Sequence, residues 1–120
     1  GVKRVHFCTG KVFFDLKAGR DEREEKRVAL VRIEEHYPFP WDEVADVLEK
    51  YGRADIHWVQ EEPQNMGSWD FMEPKIRKLL KNEKPVHYIG RRSTAATATG
   101  IQSIHLAQQK EIVDTVLDFA

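Results

Sequence analysis

The sequence predicts an α/β domain, a three-layer α/β/α sandwich built on a mainly parallel sheet. Four short apolar segments alternate with four amphipathic segments along the 120 residues. Such alternation favours parallel strands joined by right-handed crossovers, with helices on both faces of the sheet. A hydrophobic content of 41% over this length suffices for one globular core. We therefore expect residues 1–120 to form a single domain.

Hydrophobic periodicity places the elements in order. In the second amphipathic segment Val44, Val47 and Leu48 recur at helical spacing, with Asp and Glu residues on the other side. The last segment repeats this pattern, and the charged stretch 20–27 is predicted to be a solvated loop or a frayed helix end. The predicted strands are 5–8, 28–33, 56–60 and 86–89, and the predicted helices are 11–18, 41–51, 70–80 and 104–117.

The second strand carries charge where a strand covered on both faces should be apolar. Arg32 and Glu34 alternate with Val31 and Ile33, so both charges fall on one face. Two interpretations stay open. Either Arg32 forms an ion pair with a nearby carboxylate at the rim, or it projects into an interface and holds a carboxylate in bidentate fashion.

The segment after the third strand combines carboxylates with turn residues. Glu61 and Glu62 precede Pro63, which has no N–H to donate and should end the strand. Asn65 and Gly67 can adopt the positive φ that a turn requires, and Ser68 or Asp70 can cap the following helix. The loop therefore lies at the carboxyl end of a strand, where open α/β sheets bind ligands and partners.

Three roles are open for the two glutamates. One of them could accept backbone N–H groups at the start of the next helix while the other faces solvent. They could instead order the loop or contact a partner, or one could transfer a proton. Adjacent residues of an extended chain point in opposite directions, so Glu61 and Glu62 should not form a close dyad.

A basic loop follows the fourth strand. Gly90, Arg91 and Arg92 leave its carboxyl end and precede a run of small residues. Two guanidinium groups and free backbone N–H groups could gather around an anion there. That anion could be an effector phosphate, a carboxylate of a larger enzyme, or simply Glu61 and Glu62 of the neighbouring strand.

Composition and spacing exclude several other classes of function. The net charge of -1 gives no electrostatic footprint for nucleic acid or an anionic membrane. The single cysteine, Cys8, excludes an intrachain disulfide, and five scattered histidines show no metal-ligand spacing. No nucleophile triad, Walker loop or dinucleotide fingerprint is present. We therefore predict no catalytic, cofactor-binding or metal-binding residue in this chain.

Four segments, in order along the chain, carry a resemblance to a known family. They are Val5-His6-Phe7-Cys8-Thr9-Gly10-Lys11-Val12-Phe13-Phe14-Asp15-Leu16, Val31-Arg32-Ile33-Glu34-Glu35-His36-Tyr37-Pro38-Phe39-Pro40, Ile56-His57-Trp58-Val59-Gln60-Glu61-Glu62-Pro63-Gln64-Asn65-Met66-Gly67-Ser68-Trp69, and Gly90-Arg91-Arg92 with Ala98-Thr99-Gly100 and His105-Leu106. Together they resemble the carboxy-terminal domain of the thiamine-diphosphate-dependent decarboxylating component of the 2-oxoglutarate dehydrogenase complex. The resemblance spans nearly the whole chain, which begins at Gly1 rather than Met, as an excised piece of a larger enzyme would. It implies a fold similar to the transketolase carboxy-terminal domain.

The resemblance implies a function for the whole enzyme. Such an enzyme uses thiamine diphosphate and magnesium, acts as a homodimer in the citric acid cycle, and passes a succinyl group to a lipoyl-bearing succinyltransferase. The family's Gly-Asp-Gly diphosphate motif is absent here, so we expect the cofactors to bind outside this chain and the chain alone to be inactive. The location would be cytoplasmic in a bacterium and the mitochondrial matrix in a eukaryote.

Other functions also fit the sequence. The parent could be a 2-oxoadipate dehydrogenase component, which carries a similar loop. The domain could dock a partner through the loop 61–69, or bind a nucleotide or acyl-CoA effector at Arg91 and Arg92. Arg32, Glu61, Glu62, Asn65, Arg91 and Arg92 are thus the candidate interface or anion-site residues.

Overall fold

The computed structural model of the chain describes residues 1–91 and 102–118, with the side chains of 102–105 left out. Strands and helices alternate throughout, which confirms the predicted α/β class. The elements are β1 Arg4–Cys8, α1 Val12–Arg23, β2 Val28–Arg32, α2 Trp41–Lys50, β3 Asp55–Pro63, α3 Trp69–Leu79, β4 Val86–Arg91 and α4 Gln102–Leu117. No described helix is both long enough and apolar enough to cross a membrane.

The sheet is parallel throughout its described strands and has the order β2-β1-β3-β4. Its register aligns Phe7 of β1 with Trp58 of β3, and Trp58 with Tyr88 of β4. Because successive side chains alternate between faces, the next residue of each strand points to the opposite side. The carboxyl ends of all four strands meet at one edge, which we call the carboxyl edge.

Each face of the sheet covers its own core. On one face the strands pack against α2 and α3 through a large aromatic core that includes Phe7, Trp58 and Met72. On the other face α1 and α4 close over a smaller core that includes Cys8, Leu16 and Val116. The inward residues predicted for α2 and α4 lie at these two cores, with Val44 and Ile112 buried. We refer to these as the α2/α3 face and the α1/α4 face.

Two elements are longer than predicted. Helix α1 continues into the charged stretch as far as Arg23, because Arg and Glu are good helix formers and Lys17 pairs with Asp21 at 2.9 Å. Strand β3 continues beyond Gln60 and ends at Pro63, which pairs with Arg91 after a register shift. The shift is a bulge or similar irregularity of the ladder between Val59 and Pro63, the stretch that contains both glutamates.

Candidate functional site

Four polar side chains from four elements meet at the carboxyl edge. The carboxamide Nε2 of Gln109 donates to Asp15 Oδ2 at 3.0 Å and to Glu61 Oε1 at 2.9 Å. Its Oε1 accepts a hydrogen bond from Arg91 Nη2 at 3.3 Å. We call these residues the Gln109 cluster. One amide thus holds two carboxylates close together and links them to a guanidinium group.

The Gln109 cluster is suited to recognition and to fixing geometry. Glu61 and Gln109 are half-buried, and Asp15 is exposed. A carboxamide cannot relay a proton as imidazole does, but its fixed donors and acceptor orient neighbouring charges. The cluster also joins α1, β3, β4 and α4, so it ties both helices of the α1/α4 face to the sheet.

A second polar centre, Gln60, organises the loop that follows β3. Its side chain is 1% exposed. Its Nε2 donates to the backbone oxygens of Glu62, Pro63 and Met66 at 3.2, 2.9 and 2.8 Å. Its Oε1 accepts from Trp58 Nε1 at 2.9 Å and from the backbone N–H of Trp69 at 3.1 Å. The amide therefore uses all its donors and acceptors, which makes its burial tolerable.

Gln60 also replaces the residues predicted to cap α3. Ser68 occupies the cap position but makes no capping side-chain hydrogen bond, and Asp70 lies inside the helix. The N–H of Trp69, at the start of α3, is bonded by Gln60 and not by Glu61 or Glu62. Distance in sequence hides this cap, because nine residues separate donor and acceptor.

Two glycines fit closely around Gln60. Gly67 has φ +70, and a Cβ there would lie 3.2 Å from the Gln60 carboxamide. A Cβ on Gly90 would lie 2.6 Å from the Gln60 backbone oxygen. Gly67 therefore takes the positive φ predicted for this turn, whereas Asn65 is exposed and its φ is not positive.

His36 links the neighbouring loops at the same edge. Its Nε2 lies 3.3 Å from Thr9 Oγ1, and its Nδ1 lies 3.2 Å from Ser68 Oγ. Its ring also stacks on Phe71 of α3, with 6.2 Å between ring centroids. The loops after β1 and β2 are thus joined to the start of α3, and Ser68 serves this contact rather than the cap.

The remaining predicted site residues lie apart from the Gln109 cluster. Glu62 is exposed and contributes its backbone oxygen to Gln60. Arg32 is at the end of the edge strand β2, two strands from β3, where its Nη2 pairs with Glu34 at 2.5 Å. Its guanidinium carbon lies 4.8 Å from the Phe14 ring centre. Arg92 falls outside the described residues, so an anion site there stays a prediction.

Sequence reasoning missed three residues of this region: Gln60, Asp15 and Gln109. A signal for Gln60 exists, because it continues the alternation of Ile56 and Trp58 on a buried face and must therefore find partners. Asp15 and Gln109 show no local signal. They stand 94 residues apart in the chain and meet only through the fold.

Among the described residues, the other reactive groups are a buried thiol and metal-ligand side chains that do not cluster. Cys8 is buried, and burial raises the pKa of its thiol to about 12. Among the residues that the structure describes, no three His, Cys, Asp or Glu side chains are placed to hold a metal ion. The described residues therefore do not fit a magnesium–diphosphate site.

Comparison with known proteins assigns the family. A profile described as "2-oxoglutarate dehydrogenase C-terminal" matches residues 1–117. The chain is 45% identical to 2-oxoglutarate dehydrogenase, mitochondrial, of Caenorhabditis elegans over 96% of its length, and 42% identical to the 2-oxoglutarate dehydrogenase E1 component of an Exiguobacterium species over 97%. It is 41% identical over 98% of its length to the probable 2-oxoadipate dehydrogenase complex component E1 homolog of Dictyostelium discoideum.

These relatives are much longer proteins. The chain spans 11% of the nematode protein, 12% of the bacterial one and 13% of the Dictyostelium one. The match nevertheless covers both cores, the loop organised by Gln60 and the Gln109 cluster, since the profile runs through residue 117. This chain belongs to the family of 2-oxoglutarate dehydrogenase carboxy-terminal domains.

Proposed function

We propose that the chain is the carboxy-terminal structural and interface domain of an E1 enzyme that decarboxylates 2-oxoglutarate. The parent would use thiamine diphosphate and magnesium, act as a homodimer, and transfer the succinyl group to lipoyl groups on its succinyltransferase partner. Family membership over the whole chain supports this proposal. The bacterial and mitochondrial names of the relatives favour the cytoplasm or the mitochondrial matrix, according to the organism.

The carboxyl edge carries the interface part of the proposal. There the Gln109 cluster holds Glu61 and Arg91 in fixed positions. On loops and helix starts of the same edge, Tyr37 is 91% exposed and Phe14 is 54% exposed. Fixed charges beside exposed aromatic rings are typical of surfaces that a partner covers.

The aromatic residues that flank the carboxyl edge differ in how far they are exposed to solvent. Phe39 is buried at 6% exposure, and Trp69 and Phe71 are half-buried against the α2/α3 core. Tyr37 is therefore the residue of this group that most needs a partner, with Phe14 beside it as a second candidate. The other three contribute mainly to the stability of the domain.

Mutation of the parent enzyme tests the interface. Tyr37→Ser with Phe14→Ser should weaken assembly, measured by analytical ultracentrifugation, and should lower turnover in proportion. Phe39→Ser serves as the control for simple destabilisation, because this buried change should lower the melting temperature first. If the Tyr37 and Phe14 double variant assembles and turns over like the parent, the carboxyl edge is not the interface.

Activity of the 120-residue chain tests where the cofactor binds. With added thiamine diphosphate, magnesium and 2-oxoglutarate, the chain should release no carbon dioxide above a blank, since it lacks the diphosphate motif. Decarboxylation by this chain would overturn the proposal.

The 2-oxoadipate alternative has its own support. A relative named for 2-oxoadipate is 41% identical, nearly as similar as those named for 2-oxoglutarate. The ratio of kcat/KM for the two acids in the parent enzyme decides between them. A ratio that favours 2-oxoadipate would change the substrate without changing the role of this domain.

A further inference from the structure

Three histidines stand side by side across the sheet. His6 of β1 is in register with His57 of β3, and His57 with His87 of β4. The ring centroids of His6 and His57 lie 4.6 Å apart, and those of His57 and His87 lie 5.1 Å apart. We call them the histidine stack. By strand alternation they share the α1/α4 face with Cys8, Val59 and Ile89.

The stack runs from the interior to the surface. His6 is fully buried, His57 is 9% exposed and His87 is exposed. Within the described part of the chain, three buried ring nitrogens have no hydrogen-bond partner. They are Nδ1 and Nε2 of His6 and Nδ1 of His57. A buried polar group without a partner costs free energy, and a buried unpaired charge costs much more.

Burial opposes protonation of the stack, and most of the nearby charges add to this effect. Burial lowers the pKa of His6 to about 2, with His57 and Arg4 adding to the effect. Burial lowers the pKa of His57 to about 4, with His87 and Arg4 assisting and Asp55 opposing. Both imidazoles are therefore neutral in the folded chain at neutral pH.

In the described part of α1 and α4, no charged group contributes to the pKa of His6 or His57, whose charged or titratable neighbours are Arg4, Asp55 and His87. The inward side chains of both helices are apolar, from Val12 and Leu16 on α1 to Ile112 and Val116 on α4. Of their charged groups, Arg23 pairs with Asp114 at 2.6 Å and with Asp118 at 2.9 Å near the surface. Between about pH 4 and the ordinary histidine pKa, His6 and His57 are therefore protonated mainly in a form in which α1 and α4 have moved away.

We propose that the histidine stack makes the α1/α4 face an acid-sensitive contact, which opens more often as the pH falls below about 6.5 while the α2/α3 face stays packed. The two faces differ in whether their buried polar residues can take up a proton. Of the buried polar residues that the structure describes, His6 and His57 lie on the α1/α4 face, whereas Gln60 lies on the α2/α3 face, is fully bonded and does not titrate. Acid therefore acts on one layer of the sandwich.

The direction in which pH shifts the equilibrium between the closed and open forms follows from proton linkage. An exposed histidine titrates near pH 6.5, well above the values for His6 and His57 in the folded chain. Below about pH 6.5 the open form binds more protons than the closed form, so acid favours opening. Each histidine raises the open population by up to about tenfold per pH unit.

Amide hydrogen exchange on the 120-residue chain tests the proposal. Protection factors, which correct for the intrinsic pH dependence of exchange, should fall in α1 and α4 at least about tenfold more than in α2 and α3 between about pH 7.5 and about pH 5. All three tryptophans, Trp41, Trp58 and Trp69, lie on the α2/α3 side, so their fluorescence should change little over that range. An equal loss of protection in both layers would overturn the proposal.

Matched variants isolate the stack from the other titrating groups. His6→Leu with His57→Leu should abolish the acid response of α1 and α4, because no buried imidazole remains. His87→Leu is the control, since it removes the exposed ring of the same stack and should leave most of the response in place. A double variant that responds to acid like the wild type would refute the mechanism.

A direct titration covers the case in which the double variant fails to fold. Imidazole nitrogen shifts of the ¹⁵N-labelled wild-type chain should show His6 and His57 neutral wherever α1 and α4 are protected. If either ring titrates near pH 6.5 while protection is unchanged, the stack accepts protons in the closed state and the proposal is wrong.

Discussion

The two faces of the sheet each bury a polar side chain, and they do so by opposite means. On the α2/α3 face Gln60 is 1% exposed and every donor and acceptor of its amide is used. On the α1/α4 face His6 is fully buried, yet its ring nitrogens bond no described residue. The first arrangement is insensitive to pH and specifies one backbone path. The second makes stability depend on pH.

Gln60 and His6 differ because they lie at different positions along their strands. Gln60 lies near the end of β3, where the chain turns and brings the carbonyl groups of Pro63 and Met66 within reach as acceptors. His6 lies in the middle of β1, where the ladder uses the backbone groups and only neighbouring rings are available. Buried polar residues are thus easiest to satisfy at strand ends, which is also where this fold places its candidate site.

The largest expected effect is a loss of stability on the α1/α4 side as the pH falls. His6 and His57 should together lower the free energy of unfolding as the pH falls below about 6.5, by up to about 2 kcal/mol each at about pH 5. Urea denaturation at a series of pH values measures this slope. A free energy of unfolding that is flat from about pH 7 to about pH 5 would contradict it.

Gln60→Leu should destabilise the α2/α3 side at every pH. The change leaves Trp58 Nε1 and the Trp69 N–H without their acceptor, and it removes the Gln60 donor from the carbonyl groups of Pro63 and Met66. We expect a loss of about 3 kcal/mol in the free energy of unfolding, measured by denaturation at neutral pH. Glu62→Gln is the control, because its exposed side chain should contribute less than about 0.5 kcal/mol.

A pair of glycine variants sharpens the role of Gln60. Gly10 and Gly67 have φ +75 and φ +70, but a Cβ on Gly10 meets nothing within 4 Å, whereas one on Gly67 meets the Gln60 amide at 3.2 Å. Gly10→Ala should cost about 1 to 2 kcal/mol from backbone strain alone. Gly67→Ala should cost more, and the difference measures how far the Gln60 amide can yield. Equal losses would show that this amide is not tightly fixed.

The smallest expected effect concerns the Gln109 cluster in the parent enzyme. Glu61→Gln keeps the shape of the side chain, and Gln109 can reorient its amide to bond it. Turnover should therefore fall less than about tenfold, with dimerisation monitored by ultracentrifugation alongside. A loss of about 10²-fold or more with normal assembly would instead show that Glu61 transfers a proton.

Prediction from sequence succeeded where the signal is local. The helical spacing of Val44, Val47 and Leu48 predicted the inward face of α2, and the short apolar runs predicted all four strands. It failed where partners are distant along the chain. Glu61 and Gln109 are 48 residues apart, and the histidine stack depends on the register of three strands, which spacing in one sequence does not reveal.

The buried Cys8 gives the protein an internal reporter. Its thiol lies on the α1/α4 face two residues beyond His6, and burial holds its pKa near 12. Thiol reagents attack the thiolate, so the closed chain should resist alkylation and should not cross-link to another copy in air. Since this is the only sulfhydryl group in the sequence, the rate at which a maleimide modifies the chain, relative to a free thiol, reports how much of the time that face is accessible.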